Sequence, residues 1–225
     1  MPRNDERLTR RDFVATTAAG AALAATPMAL ARTAHAGGSD TMGCGVVGCG
    51  GRGTGAAVNA LQASPSTRIV AMADLFPDRL QSSLGHLRNQ AEYADRITVK
   101  EEDTYTGIDA YRQLMARDDI DMVILATPPH FRPAHMRAAI EAGKHVFAEK
   151  PMAVDGPGLR SVIETARMAR ERNLNLMSGF CWRYNIPNRE CYQRLHDGAI
   201  GDIHTVHSTY LTGPLGKRPR QDGWS

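Results

Sequence analysis

Large aromatic side chains are scarce in this chain of 225 residues: two Trp, six Tyr and five Phe. Cysteine is scarcer still, with Cys44, Cys49, Cys181 and Cys191 at gaps that match no zinc or haem spacing. No metal ligand set is therefore expected, and no disulfide framework. There is no internal repeat, no collagen-like glycine period and no low-complexity block, which excludes solenoids and fibrous proteins. Nor is there a strongly apolar run of the roughly 20 residues that a membrane span needs. The longest apolar run, Val14 to Ala31, is mostly Ala, Thr and Gly and is interrupted by Pro27. Charge of one sign is lacking too. With 23% charged residues and a net of +3, the composition is that of an ordinary soluble globular protein.

What is present begins with a segment to set aside before any fold argument. "RLTRRDFVATTAAGAALAATPMALARTAHA" has a charged start, a weakly apolar middle and an A-x-A cleavage pattern at Ala34-His35-Ala36. Arg10-Arg11 followed by Asp12, Phe13 and Val14 resembles a twin-arginine export signal. Residues 1–36 are expected to be such a signal peptide, which places the mature protein in the periplasm or otherwise outside the cytoplasm. Twin-arginine export by that resemblance carries folded proteins, a further reason to expect reduced cysteines. The remaining residues hold 22 basic and 21 acidic side chains, a net of about +1. No field is left to attract nucleic acid or an anionic membrane. The basic run at 217–220 is expected to be a solvated loop.

Beyond residue 42, apolar strands alternate with helices. Strands are expected at 45–47, 68–74, 121–127, 144–151 and 174–180. Helices are expected at 54–63, 77–94, 107–117, 133–143 and 159–173, with Pro77 in a first turn and Gly143 at an end. The run "DMVILAT" is continuously apolar, as in a strand buried on both faces of a parallel sheet. The alternation argues for a doubly wound parallel α/β (Rossmann) sheet of six strands over about 42–180, five of them placed by pattern. After Arg183 the style changes. A helix at 187–201 and an amphipathic strand at 202–211, containing Ile203, Val206 and Tyr210, look like the start of an α+β domain at 181–225. One helix and one strand bury no core of their own.

The stretch "GCGVVGCGGRGTG" (43–55) carries the most specific signal. Gly48, Gly50 and Gly53 form G-x-G-x-x-G between a strand and a helix, and Asp74 ends the next strand. Gly48 permits the tight turn, Gly50 lets a pyrophosphate approach bare backbone, and Gly53 lets helix and strand pack closely. The helix N-terminus offers unpaired N–H groups and partial positive charge to phosphates. Gly51 belongs to the same set of cofactor contacts. Asp74 is expected to accept hydrogen bonds from the adenosine ribose. Its carboxylate repels a 2′-phosphate, so NAD is favoured over NADP. Arg52 has two readings, a phosphate contact or an exposed surface arginine. No Gly-Lys-Ser/Thr follows, which excludes an ATPase phosphate loop.

Ligands in such sheets bind at the carboxyl ends of the strands. Two strand ends stand out. In "ATPPHFRPAH" the stiff Pro128-Pro129 turn places Thr127 and His130 within reach of a dinucleotide, with a plain loop histidine as the alternative for His130. In "GKHVFAEKP" Glu149 and Lys150 leave the strand together, and Pro151 sets the exit. Lys150 is either a solvated lysine or, beside a nicotinamide, a group that exchanges the proton accompanying hydride transfer. Glu149 is placed to hold the lysine or the nicotinamide ribose.

Taken in order, "GVVGCGGRG", "AMAD", "ATPPH", "AIEAGKHVFAEKP", "GFCWRYNIPN" and "GAIGDIHTV" resemble the Gfo/Idh/MocA family of glucose–fructose oxidoreductase and inositol dehydrogenase. The resemblance implies Lys150 at the substrate, Glu149 and Pro128 at the cofactor, and Arg183 near cofactor or substrate. It implies an NAD(P)-dependent oxidoreductase acting on a sugar, polyol or derivative. Family members often carry a histidine five residues after the threonine of the Thr-Pro pair; here that residue is Arg132. They are also longer, so this chain is expected to be an N-terminal portion, with the acid–base histidine beyond Ser225. Pairing into a homo-oligomer is expected only of the full-length protein. Exported, such an enzyme would load its cofactor before export and hold it tightly. Two alternatives stay open: a glycosidase using NAD for transient oxidation, and a non-catalytic nucleotide-binding remnant.

Overall fold

A computed structural model of the chain describes residues 41–213 and 219–220. The signal-like segment 1–36 lies outside the described residues. The chain divides into two compact units, one up to Gly179 and one from Phe180.

The first unit is a six-stranded, wholly parallel sheet. Its strands are β1 (Met42–Val47), β2 (Thr67–Asp74), β3 (Thr104–Thr106), β4 (Met122–Leu125), β5 (His145–Ala148) and β6 (Leu176–Ser178). They lie in the order β3-β2-β1-β4-β5-β6. The chain steps outward from β1 to β3, then returns to the far side of β1 for β4. That reversal opens a crevice over the carboxyl ends of β1 and β4. The helices are α1 (Gly51–Ala63), α2 (Pro77–Arg88), α3 (Ala110–Met115), α4 (Arg132–Glu141) and α5 (Gly156–Glu171).

Side chains alternate across the strands, so neighbouring residues enter different cores; in β2 one extra residue, opposite Cys44–Gly45, interrupts the alternation, so that Ile69 and Met72 face the same side. Val46, Ile69, Met72 and Ile124 pack with Leu61 of α1 and Leu80, Leu84 and Leu87 of α2. Val47, Val123 and Leu125 pack on the other face with Leu114 of α3 and Met136 and Ile140 of α4. This two-sided burial is why the central strands read as unbroken apolar runs.

Local chemistry sets the helix ends. Asp155 caps α5 by accepting the Gly158 N–H (2.7 Å). Gly143, with φ +75°, follows α4 in the left-handed conformation that a side chain disfavours. The second helix stops at Arg88 rather than at 94. Tertiary bonds override its propensity: Arg88 donates to the Val99 carbonyl (2.7 Å), and Arg96 reaches back to the carbonyls of Leu61 and Ser64 (2.9 Å each). The sixth strand is β3, whose three residues "TYT" are too few to show a period.

In the second unit, Cys181–Tyr184 forms a 3-10 turn and α6 spans Ile186–His196. Asn185 caps α6, accepting the Asn188 N–H at 3.1 Å. Contrary to expectation, 202–211 is not a strand. Ile203, Val206 and Tyr210 are exposed. A strand needs a neighbour to take its N–H and C=O groups, and no strand follows Gly179 among the described residues. All four cysteines are free thiols.

A β-carbon at Gly53 would stand 1.8 Å from the Gly48 carbonyl oxygen, whereas one at Gly51 meets nothing within 4 Å. Gly53→Ala should therefore cost about 2 kcal/mol or more of unfolding free energy, and Gly51→Ala should stay within about 0.5 kcal/mol of wild type. Urea denaturation of the two variants checks this.

Candidate functional site

The glycine turn follows β1 and starts α1. Gly48 has φ +93°, and a side chain there would come within 2.7 Å of the Ala126 and Thr127 backbone. Gly50 caps α1 without a side chain, and the first helical bond runs from Thr54 N–H to the Gly50 carbonyl (2.9 Å). The N–H groups of Gly51, Arg52 and Gly53 thus precede the helical ladder, and no acidic residue stands in the first turn. This is a cradle for an anion at backbone distance.

Asp74 ends β2 and is buried. Its Oδ2 accepts the Cys49 N–H (2.6 Å) and its Oδ1 accepts the Phe76 N–H (2.9 Å). The carboxylate lines a cavity of ≈ 330 Å³ together with Gly48 and Gly50, as the crevice requires. Thr127 and Pro128 line the same cavity.

His130 does not. It is exposed and stands edge-on to Phe131, with ring centroids 5.2 Å apart. The histidine in the cavity wall is His135, whose Nδ1 lies 3.2 Å from Thr127 Oγ1. Its ring packs on Tyr111 at 4.1 Å and Phe131 at 6.1 Å. Burial, with the Arg132 and Arg112 charges, pushes its pKa down to about 4, so it is neutral at physiological pH. Tyr111, Phe76, Ile108 and Arg79 also face the cavity and were not foreseen from sequence. A signal for His135 existed. Arg132, His135, Met136, Ala139 and Ile140 are the buried residues of α4, at the i, i+3, i+4, i+7, i+8 spacing of an inward stripe.

At the exit of β5, Glu149 is buried and Lys150 is exposed. The Lys150–Pro151 peptide is cis. Glu149 does not hold Lys150 by any ion pair seen among the described residues. Its partner is Arg52, with Nε 2.8 Å from Oε1, so Arg52 spans from the glycine turn to the β5 exit. Gly179 backs the carboxylate so closely that a β-carbon there would lie 3.1 Å from it. Arg183 falls in the second unit, in the 3-10 turn, and is exposed. Among the described residues no group of three or more His, Cys, Asp or Glu is placed to hold a metal ion, and no helix is long and apolar enough to cross a membrane.

A strand, glycine turn, helix and strand-end aspartate in this arrangement suit a dinucleotide. The family model of the Gfo/Idh/MocA oxidoreductases, described as an oxidoreductase family with an NAD-binding Rossmann fold, matches residues 42–180. The chain belongs to the Gfo/Idh/MocA family. Among its relatives is a glycosyl hydrolase family 109 protein of Streptomyces coelicolor, 31% identical over 76% of this chain and 34% of the relative. Another is an inositol 2-dehydrogenase of Gluconacetobacter diazotrophicus, 31% identical over 77% of this chain and 48% of the relative. Among solved structures, a 3-ketoreductase of Actinomadura kijaniata in complex with NADP and TDP-benzene is 30% identical with a TM-score of 0.55. That match covers 72% of this chain and 44% of the other. This Gfo/Idh/MocA chain thus spans less than half the length of each of these relatives.

Because His135 binds a proton less readily when folded, the unfolded state takes up more protons between pH 6.5 and about 4. Stability should be unaffected by this group above pH 6.5 and fall as pH drops through that window, by up to ~1.4 kcal/mol per pH unit. Denaturation midpoints against pH for wild type and His135→Gln test this. The variant should lose that slope.

Proposed function

We propose that this protein is an NAD-dependent oxidoreductase acting on a sugar, polyol or derivative. The observation that carries this reading is the pairing of one cradle and one amine at the same edge of the sheet: the bare N–H groups at the start of α1 beside Asp74, and Lys150 at the exit of β5, two strands from β1. The Gly51–Gly53 N–H groups hold the diphosphate. Asp74 still has lone pairs beyond its two backbone bonds, and these accept the adenosine ribose hydroxyls. Its charge disfavours a 2′-phosphate, so NAD is preferred over NADP, although Arg79 in the same wall pulls the other way. Thr127 and Pro128 form the wall beneath the dinucleotide.

Bound NAD supplies the hydride acceptor and donor. Lys150 meets the substrate oxygen, and its Nζ takes the hydroxyl proton in oxidation or returns it in reduction. Glu149 takes the nicotinamide-side ribose, a contact that competes with its ion pair to Arg52. Arg183 is assigned to the substrate, and residues 181–225 to the start of the substrate-binding domain.

Titration of the protein with NAD and NADP should show tighter binding of NAD. Lys150→Met should leave NAD binding within about threefold and lower turnover at least ~100-fold in a screen of sugars, polyols and inositols followed by NADH absorbance. No NAD binding would end this reading. The similarity to a glycosyl hydrolase family 109 protein favours a second one, in which bound NAD would serve as hydride acceptor and then donor for a transient oxidation of the sugar, while the same residues assist loss of the leaving group and addition of water. A glycoside cleaved with no net change in NADH absorbance would identify that chemistry.

Export through the twin-arginine route to the periplasm, with the cofactor loaded beforehand and tightly held, is part of this proposal. The segment 1–36 supports it by its Arg10-Arg11 pair and its Ala34-His35-Ala36 site. Protein purified from its source should begin near residue 37, as N-terminal sequencing would show; a Met1 start would refute it.

A further inference from the structure

Arg132 is the most deeply buried arginine of the protein's described residues, 2% exposed. It opens α4. One guanidinium nitrogen, Nη2, donates to the Thr127 carbonyl in the loop after β4. The other, Nη1, donates to the Pro151 carbonyl just past the exit of β5. β4 and β5 are neighbours in the sheet, so one side chain bridges adjacent strand exits. Both loops are poor in donors. Pro128, Pro129, Pro133 and Pro151 have no N–H, and the carbonyls that leave the ladder here find few backbone partners. A guanidinium, with donors in a planar fork, serves two carbonyls at once. The Glu149 carboxylate balances its charge, while burial opposes it. The Nε has no partner, so the two carbonyls are what the group satisfies.

We propose that Arg132 is a positioning residue: by tying Thr127 to Pro151 it sets where the Lys150 amine stands against the cofactor wall. Lys150 directly precedes Pro151, and Thr127 lines the cavity, so the bridge joins the two halves of the proposed reaction site. The inference rests on the oxidoreductase reading for its consequence, but the coupling of the two loops is a property of the protein alone.

The test uses the full chain as wild type, Arg132→Met and Arg132→Lys. Hydrogen exchange without cofactor is read by mass spectrometry over 126–131 and 150–154. In Arg132→Met both segments should exchange about tenfold faster or more, and together. NAD affinity should change less than about threefold, because Asp74 and the glycine turn lie on the other strands. The decisive readout is acylation of Lys150 by acetic anhydride with and without NAD. Shielding of the amine by NAD should fall at least about fivefold in Arg132→Met. Arg132→Lys keeps the charge beside Glu149 but spans the two carbonyls poorly, so it should recover stability more than shielding.

Unchanged shielding in Arg132→Met, or faster exchange in only one of the two loops, would overturn the proposal. If Arg132→Met does not fold, Arg132→Lys carries the same comparison. If the wild-type chain binds no NAD, the oxidoreductase reading fails by itself. Exchange of the two loops then decides the role of Arg132: coupled exchange supports it, and independent exchange refutes it.

Discussion

The hydrogen bond from the Cys49 N–H to Asp74 Oδ2, 2.6 Å long, is the constraint on which the crevice depends. The glycines of the turn have no side chains to anchor it, so much of its shape comes from backbone bonds. Here Gly48 N–H donates to the Ala73 carbonyl and Ala126 N–H donates to the Val47 carbonyl, both at 2.8 Å. Asp74 adds a charged acceptor, stronger than a neutral one. The Cys49 thiol donates to Ala73 as well, at 3.4 Å. Burial and the Asp74 charge raise its pKa, so it stays a protonated donor and not a nucleophile. The aspartate proposed to take a ribose is thus also the group that shapes the glycine turn, and the two roles cannot be varied separately.

A second regularity is the use of arginine to satisfy carbonyls that leave regular structure. Arg96 reaches the carbonyls at the end of α1, Arg172 those of Ile140 and Glu141 at the end of α4 (3.1 Å each), and Arg132 those of two strand exits. Helix C-termini present such carbonyls with partial negative charge, which a guanidinium complements. Hydrogen bonds to charged groups contribute about 1.5–3 kcal/mol each when shielded from water, so the deeply buried Arg132 gains more from them than the exposed Arg172 contact to Glu141. In a chain with few aromatics, these bonds do part of the work of fixing loops that large rings would otherwise pack.

Much of this was legible in sequence because it is local. The spacing of Gly48, Gly50 and Gly53, the strand before them and Asp74 at the next strand end all lie within one βαβ unit, where chain connectivity dictates the contacts. The misreadings have a different character. His130 was expected near the dinucleotide, with a plain loop histidine as the alternative, because it stands close to Thr127 along the chain; the turn of α4 instead brings back His135, eight positions on. Arg132 was noticed only as the residue standing where a histidine is usual, since the helix was expected to begin at Pro133. The strand expected at 202–211 rested on a loose alternation: Ile203, Val206 and Tyr210 are spaced three and four apart, which is no period of two, and no partner strand is present among the described residues to hold it.

By itself the sequence determined the parallel α/β alternation, the glycine cradle with its acidic partner, and the Glu149-Lys150-Pro151 exit, because each follows from side-chain size, backbone freedom and short-range periodicity. Only the tertiary structure decided that His135 rather than His130 lines the crevice, and which side chains pair around it: Arg52 on Glu149, Arg132 across Thr127 and Pro151. Those pairings depend on the order in which the strands lie in the sheet, and that order is set by the summed burial of both faces, a quantity that no short stretch of chain contains.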